Sequence, residues 1–379
     1  MKSHFFIVLF ALLGIVYLAA CQNINETQVS EETNTVIDLF PFQDKKNEKW
    51  GYMDSHGNVI IQPKYDYADF FYENTAKVGI KKREENWPKY GRIDSTEKVV
   101  IPISYDSVSD FSDGMFLVSI ESSAVTDAPV WFYMNENGNT LLRLNYWRAS
   151  VFQEGLARVS PGIAPTSGFI DIRGNFVIGL EIAYYGDFCE GLAYECKDYP
   201  TGKYCFINRE GVVEIDAVYD HALSFSEGYA AVQMDGKWGY INKEGETMIP
   251  FQFDGAGSFS EGIAVVKIEN NLGYISKEGE MITPFSFENA RGFKEGVAAV
   301  RENGLWGFID HSGEFVLSPQ YPYASNCYNG LIMILKIQDD EFNYLYQDFP
   351  YLDYPDLGFT DYKFLYYINL KGDIIEPIL

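Results

Sequence analysis

Two spacings recur along this chain without change, and they restrict its fold more than any other feature. One position is held in turn by Trp50, Tyr90, Trp131, Ser167, Tyr204, Trp238, Leu272, Trp306 and Leu365. Seven residues after each comes a turn position, held by Gly57, Glu97, Gly138, Gly174, Gly211, Gly245, Gly279, Gly313 and Gly372. Fourteen residues further on stands Phe71, Phe111, Phe152, Phe188, Phe225, Phe259 or Phe293, with Cys327 in the next copy. Constant spacings of this kind identify tandem copies of one supersecondary unit. Such units bury their faces only against neighbouring copies.

Each segment of the unit has a physical reading, clearest around Trp238. Lys237 to Asn242 alternates as a strand, with Trp238, Tyr240 and Asn242 on one face and Gly239 and Ile241 on the other. Gly239 lets backbone or a ring approach closely. Asn242-Lys243-Glu244-Gly245 reads as a hairpin turn with Gly245 at positive φ. Thr247 to Phe251 is a return strand, and Pro250, with counterparts at Pro63, Pro102, Pro284, Pro319 and Pro377, marks a strand end or edge. A Tyr-Asp-x-Ala loop follows, then a second turn of the Phe225-Ser226-Glu227-Gly228 type. A third strand, Tyr229 to Met234, leads through Asp235-Gly236 into the next Trp-Gly strand. The expected fold is all-β, about nine three-stranded antiparallel units in tandem. Abundant Tyr and Phe, 28 of each, favour strands.

The signature Lys-Trp-Gly-Tyr-Ile-Asn-Lys-Glu-Gly, with its Pro-x-x-(Phe/Tyr)-(Asp/Glu) element and Phe-Ser-Glu-Gly, resembles the bacterial WG-repeat family. The resemblance covers roughly residues 49–379, is strongest from Phe225 to Gly313, and weakens at Ser167-Gly168, Tyr204-Cys205 and Leu365-Tyr366. It implies a secreted or surface-anchored repeat protein that binds something, and it brings no catalytic residues with it. In this scheme Trp50, Gly51, Trp131, Trp238, Gly239, Gly245, Trp306 and Gly307 are structural repeat positions. Leu272 in the Trp slot agrees, since leucine packs but offers no flat ring to a sugar.

The phase of the repeat at its ends bears on curvature. Val36 to Gln43 reads as a third strand and Ile374 to Ile378 as a return strand, so nine whole units fit if each is cut third strand, Trp-Gly strand, return strand. A propeller often closes by borrowing strands from both termini, and here nothing needs borrowing. That favours an open twisted stack or solenoid, with a closed propeller-like ring as the alternative.

The N-terminus reads as an export signal. Lys2 precedes an apolar run from Phe5 to Ala20, too short to span a membrane, and the ending Leu18-Ala19-Ala20-Cys21 resembles a bacterial lipobox. The expected organisation is a lipoprotein signal peptide over 1–20, lipidated Cys21 with a flexible tether over 21–35, and the repeat domain over 36–379. The chain would sit outside the cytoplasm on a bacterial outer membrane or cell surface, held by lipid alone. A net charge of −25 argues against nucleic acid and against charge docking on anionic lipid.

Function is sought where the copies differ. From the Phe position to the next Trp position the spacings are 19, 20, 15, 16, 13, 13, 13 and 38. Every insertion falls in one hairpin, so all project from one edge, which in repeat arrays is often the binding edge. The first insertion carries Trp87. The last, within 338–363, carries Tyr344, Tyr346, Phe349, Tyr351, Asp353, Tyr354 and Asp356, rings beside carboxylates that suit a sugar or an extended peptide. The same loop also reads as a cap on the final unit. Cys196 and Cys205 flank a hairpin turn and form a possible disulfide in an oxidising compartment. No metal spacing, cofactor motif or nucleophile motif occurs. The expected activity is binding of a protein, peptide or glycan. The alternatives are an envelope spacer or scaffold and, remotely, a glycoside hydrolase with two carboxylates.

Overall fold

The computed structural model divides the chain into two units, Met1–Val36 and Ile37–Leu379. It describes residues 38–83, 87–121, 128–160, 162, 167–180, 184–196, 202–335 and 365–378. The signal, Cys21 and the tether therefore lie outside the described residues, as does the 338–363 insertion.

Among the described residues of the second unit every regular element is a strand, and the strands form nine small antiparallel sheets, the blades of a nine-bladed β-propeller. Each blade is the unit cut as the sequence suggested. In blade 6 the second strand is Ala230–Met234, the Trp-Gly strand Lys237–Ile241 and the return, or outer, strand Thr247–Phe253. Eight of the nine blades have an inner strand from the Tyr-Asp-x-Ala segment, which sequence reading takes for a loop; in blade 6 it is His221–Ala222, and in blade 7 Gly255–Ala256 completes a three-stranded sheet that has no outer strand among the described residues. In six of these blades the inner strand is two residues long, too short a run for alternation to reveal; in blades 2 and 9 it extends over Tyr67–Tyr72 and Tyr323–Tyr328.

The Trp-Gly pair and the proline of the outer strand explain each other. Trp238 sits opposite Phe253, yet Tyr240 sits opposite Ile249. The outer strand thus places Pro250, Phe251 and Gln252 against Gly239 alone, a bulge that a proline tolerates on an edge with no further partner. The bulged backbone enters the space a side chain would fill: a Cβ on Gly239 would lie 2.7 Å from the Ile249 carbonyl oxygen, and one on Gly307 2.6 Å from that of Leu317. Blade 5 has Cys205 at this position and Asp216 where the proline would stand. In the following turn Asn242 accepts the amides of Glu244 and Glu246, and Gly245 takes φ +80°. Glu97, which replaces that glycine in blade 2, is held in the same left-handed region at +69°.

Blades pack through the large residues of these strands. Trp50, Trp306, Leu272, Tyr240 and Tyr274 are buried, and Trp131 and Trp238 are half-buried against the same cores. The tryptophan positions are therefore inter-blade packing sites.

The array is closed, so the preference for an open stack drawn from the strand phase is corrected in favour of the ring. The Tyr367 hydroxyl donates to the Pro41 carbonyl at 2.7 Å, the Asn329 side-chain amide to Asp38 at 3.0 Å, and the Ile378 amide to the Gly57 carbonyl at 2.7 Å. One apolar cluster contains Phe40, Trp50 and Tyr52 of the first blade with Tyr323, Leu331 and Tyr367 of the last. Strand phase shows only that no blade is split between the termini. Closure depends on whether the last blade meets the first as each blade meets the next, which spacing does not encode.

Candidate functional site

The two faces of the ring are built differently. The first carries the Phe-Ser-Glu-Gly turns and the Asn-x-x-Gly turns. Here the motif proves to be an inter-blade latch, which sequence reading reduced to a glycine turn. Ser226 donates its hydroxyl to the Phe259 carbonyl of the next blade at 2.8 Å, and Ser260 repeats this to Phe293 at 2.7 Å. Glu227 accepts the Gly262 amide at 3.0 Å, Glu261 the Gly296 amide at 3.0 Å, and Glu295 the Gly330 amide at 2.9 Å. The turn residue of the next blade adds a cation or imidazole: Lys243 reaches Glu190 at 3.0 Å, Lys277 reaches Glu227 at 3.1 Å, and His311 lies 2.8 Å from Glu261. Burial alone would raise the Glu190 and Glu227 carboxyls, but their lysines and the amides hold them below the usual carboxylate range. The signal was present in the sequence as the recurring Ser-Glu before each glycine, but its partner lies one unit away.

The opposite face carries the hairpins between second strand and Trp-Gly strand, where the insertions fall. Their bases are pinned. Lys237 pairs with Asp254 of the next blade at 2.6 Å, and Lys49, Lys89 and Lys203 pair likewise with Asp66, Asp106 and Asp220. The second oxygen of each aspartate accepts the first amide of the hairpin in its own blade: Lys81 on Asp66 at 2.8 Å, Glu121 on Asp106 at 2.9 Å, Glu269 on Asp254 at 2.6 Å. The loops of blades 2 and 3 thus spring from fixed points.

Trp87, in the blade 2 insertion, is 76% exposed, an unusual setting for so large an apolar ring. Tyr344, Tyr346, Phe349, Tyr351, Asp353, Tyr354 and Asp356 lie outside the described residues. Cys196 and Cys205 are not bonded to each other, so the disulfide is corrected. The register sets Cys196 opposite Tyr204 and Cys205 opposite Glu195. One residue of offset turns the two side chains to opposite sheet faces, and they join different cores.

The inner side of the ring holds a cavity of about 640 Å³. Residues of five consecutive blades line it, from Tyr194 through Leu223, Ser258 and Arg291 to Asn326, so it faces the ring's interior. Elsewhere on this wall the Phe70 and Tyr328 rings stack at 4.6 Å although a whole blade separates theirs, a contact possible only where the circumference is small. Arg92, fully buried in the slot that other blades give to tyrosine or phenylalanine, bonds the Ser109 carbonyl at 2.8 Å, Asp110 at 2.9 Å and Thr75 through two nitrogens. Nearby Asp69 is raised by burial and lies 3.6 Å from Lys77. Each aspartate in this cluster has its own cation. Among the described residues no group of three His, Cys, Asp or Glu is arranged to hold a metal ion.

Comparison with known proteins follows the same lines. The model of the WG containing repeat matches seven stretches: 50–82, 90–122, 131–160, 204–238, 238–271, 273–306 and 306–336, together more than half of the chain. The unmatched stretches include Ser167-Gly168 and Leu365-Tyr366, yet both positions form Trp-Gly-type strands in complete blades. No curated protein matches the chain. A solved structure of a eukaryotic initiation factor is similar in fold, with TM-score 0.57 at 9% identity, covering 89% of this chain and 94% of that one. Weaker likenesses include an uncharacterized protein from Listeria monocytogenes EGD-e (TM-score 0.44, 12% identity, 67% and 95% covered). Another is Hsv2 from Kluyvelomyces marxianus (TM-score 0.36, 12% identity, 63% and 92% covered).

Proposed function

This chain belongs to the WG containing repeat family, and on that premise we propose that it is a lipid-anchored extracytoplasmic binding module that holds a protein, peptide or glycan on its insertion face. The observation that carries this reading is the asymmetry of the ring. One face is closed by latches of constant length, while the other offers loops of varying length on pinned bases, with Trp87 exposed among them. A rigid scaffold that varies only in loops on one side is how many folds present binding residues. The anchor rests on Lys2, the run Phe5 to Ala20 and the ending at Cys21.

We read the chain as non-enzymatic. His56, His221 and His311 stand in turns or at a blade edge, and the Asp69 and Asp110 carboxylates are each engaged by a cation. The test replaces residues 338–363 with the Asp-Gly turn of blade 6 and substitutes Trp87→Ala, then measures capture of envelope components by the soluble form, residues 22–379. Loss of a captured component with an unchanged melting temperature supports the proposal. Unchanged capture refutes the insertion face, and unfolding of the loop variant shows a cap. A Cys21→Ser form that stays on the membrane without detergent refutes the anchor.

A further inference from the structure

The insertion face gathers positive charge on two neighbouring hairpins. That of blade 1, residues 44–49, holds Lys45, Lys46 and Lys49, and that of blade 2, residues 81–89, holds Lys81, Lys82, Arg83 and Lys89. With Asp44, Glu48, Glu84 and Glu85 counted, seven cations meet four acids, 7 − 4 = +3, in a chain of net charge −25. The corresponding hairpins of blades 6, 7 and 8, residues 235–237, 269–271 and 302–304, carry 0, −1 and −1. Lys81-Lys82-Arg83 is the one run of three cations in the sequence.

One carboxylate holds the two hairpins side by side. Asp66 takes the Lys49 ammonium, at the base of the first, through one oxygen and the Lys81 amide, at the base of the second, through the other at 2.8 Å. Asp106 takes the Lys89 ammonium in the same way. Lys49 and Lys89 are thereby neutralised. Lys46, Lys81 and Arg83 are exposed, and their side chains enter no ion pair among the described residues. Lys45 and Lys82 lie exposed beside them. The Asp44 carboxylate is engaged by the Lys46 backbone amide at 3.1 Å. In blade 2 the ladder ends with Ile80 opposite Lys89, so Lys81 to Arg83 leave on one arm of the hairpin and the exposed indole of Trp87 stands on the other. At about 0.15 M salt screening acts over about 8 Å, so a ligand at this patch meets its local charge more than the net charge of the chain.

Resting on the insertion-face reading above, we infer that the hairpins of blades 1 and 2 bind an anionic polysaccharide, a polymer of uronic acids, with Lys46, Lys81 and Arg83 on its carboxylates and Trp87 stacked on a sugar ring. Three features select this class. The cations are spread over two hairpins on long side chains, which suits charge repeated along a polymer and not one small anion. The described residues of the two loops, 44–49 and 81–88, include no strand residue to which an extended peptide could pair. The one large ring is flat and mostly exposed, a shape that packs on the apolar side of a sugar.

The experiment measures binding of the full-length protein, in neutral detergent, to immobilised polygalacturonate, with dextran and poly-L-glutamate as controls. Polygalacturonate is expected to bind, more weakly as salt rises, and dextran and poly-L-glutamate to bind at least about tenfold more weakly than it does. Lys46→Glu with Arg83→Glu reverses two charges that pair with nothing in the fold, and is expected to weaken polygalacturonate about tenfold or more at an unchanged melting temperature. Trp87→Ala is expected to weaken it about fivefold and to narrow the preference over poly-L-glutamate. Absence of polygalacturonate binding, equal binding of poly-L-glutamate or dextran, or an unaffected charge-reversed variant would each overturn the assignment. If polygalacturonate fails while an envelope component is still captured and is lost on Trp87→Ala, the insertion face stands and this ligand class falls. If that capture fails too, both fall.

Discussion

Residue by residue, the bonds that join blades are made by groups that are also sensitive to pH. The Tyr240 hydroxyl donates to the Gly257 carbonyl at 2.8 Å, as Tyr133 does to Ser150 and Tyr274 to Arg291. Phe308 fills the same slot in blade 8 without a hydroxyl. Tyr240→Phe is therefore expected to fold and to cost about 1 kcal/mol in urea unfolding; an unchanged midpoint would mean that water replaces the bond at no loss. The carboxylates behave as a set. Glu190, Glu227, Asp220 and Asp254 have folded pKa values below their unfolded ones. Their contribution is complete above the unfolded values and is lost as pH falls through the folded ones, while Asp69, raised by burial, offsets part of it. The melting temperature should thus hold from about pH 7 to pH 5 and fall below about pH 4.5. Glu227→Gln should lower it at neutral pH and flatten that acid slope. A slope as steep as the wild type's would place the acid sensitivity elsewhere.

At the scale of the element, the Trp-Gly strand and the proline-containing outer strand form one device. Gly239→Ala forces a methyl to 2.7 Å from the Ile249 oxygen and 3.0 Å from the Phe251 nitrogen, so the bulge must move. The expected cost is about 1–3 kcal/mol. Gly179→Ala in blade 4, where a Cβ meets nothing within 4 Å, should change stability by less than about 0.5 kcal/mol. Equal effects at the two sites would show that strand propensity, not the bulge, selects the glycine. This device was partly legible. Alternation around Trp238 and the turn at Gly245 could be read because their causes lie within seven residues. The bulge could not, since it is a register shift between strands. Nor could the Cys196 and Cys205 geometry, where one residue of register decides which face each sulfur takes. Of the candidate site, the choice of variable loops and Trp87 came from spacing, whereas the latch made by Ser226 and Glu227 could not be read because its partners, the Phe259 carbonyl and the Gly262 amide, lie one unit away.

At the scale of the molecule, closure converts a stack into a ring, and this has a thermodynamic consequence. In an open array each end unit has one neighbour and frays first. Here blades 1 and 9 have two neighbours each, because the Ile378 amide reaches Gly57, Tyr367 reaches Pro41 and Asn329 reaches Asp38. Removing residues 376–379 takes away the contact of the last outer strand with the first hairpin, where the Glu376 carbonyl fills the space beside Gly57. Tyr367→Phe weakens the seam more gently, by about 1 kcal/mol. The truncated chain is expected to lose amide-exchange protection first in Phe40–Gln43 and Leu365–Asn369, while Ala230–Met234 and Ile263–Ile268 on the far side keep theirs. Its thermal transition should broaden as the ends fray independently of the middle. Unchanged protection at Phe40–Gln43 would refute the ring as the source of end stability, since a closed ring is the only arrangement in which the last four residues protect the first strand.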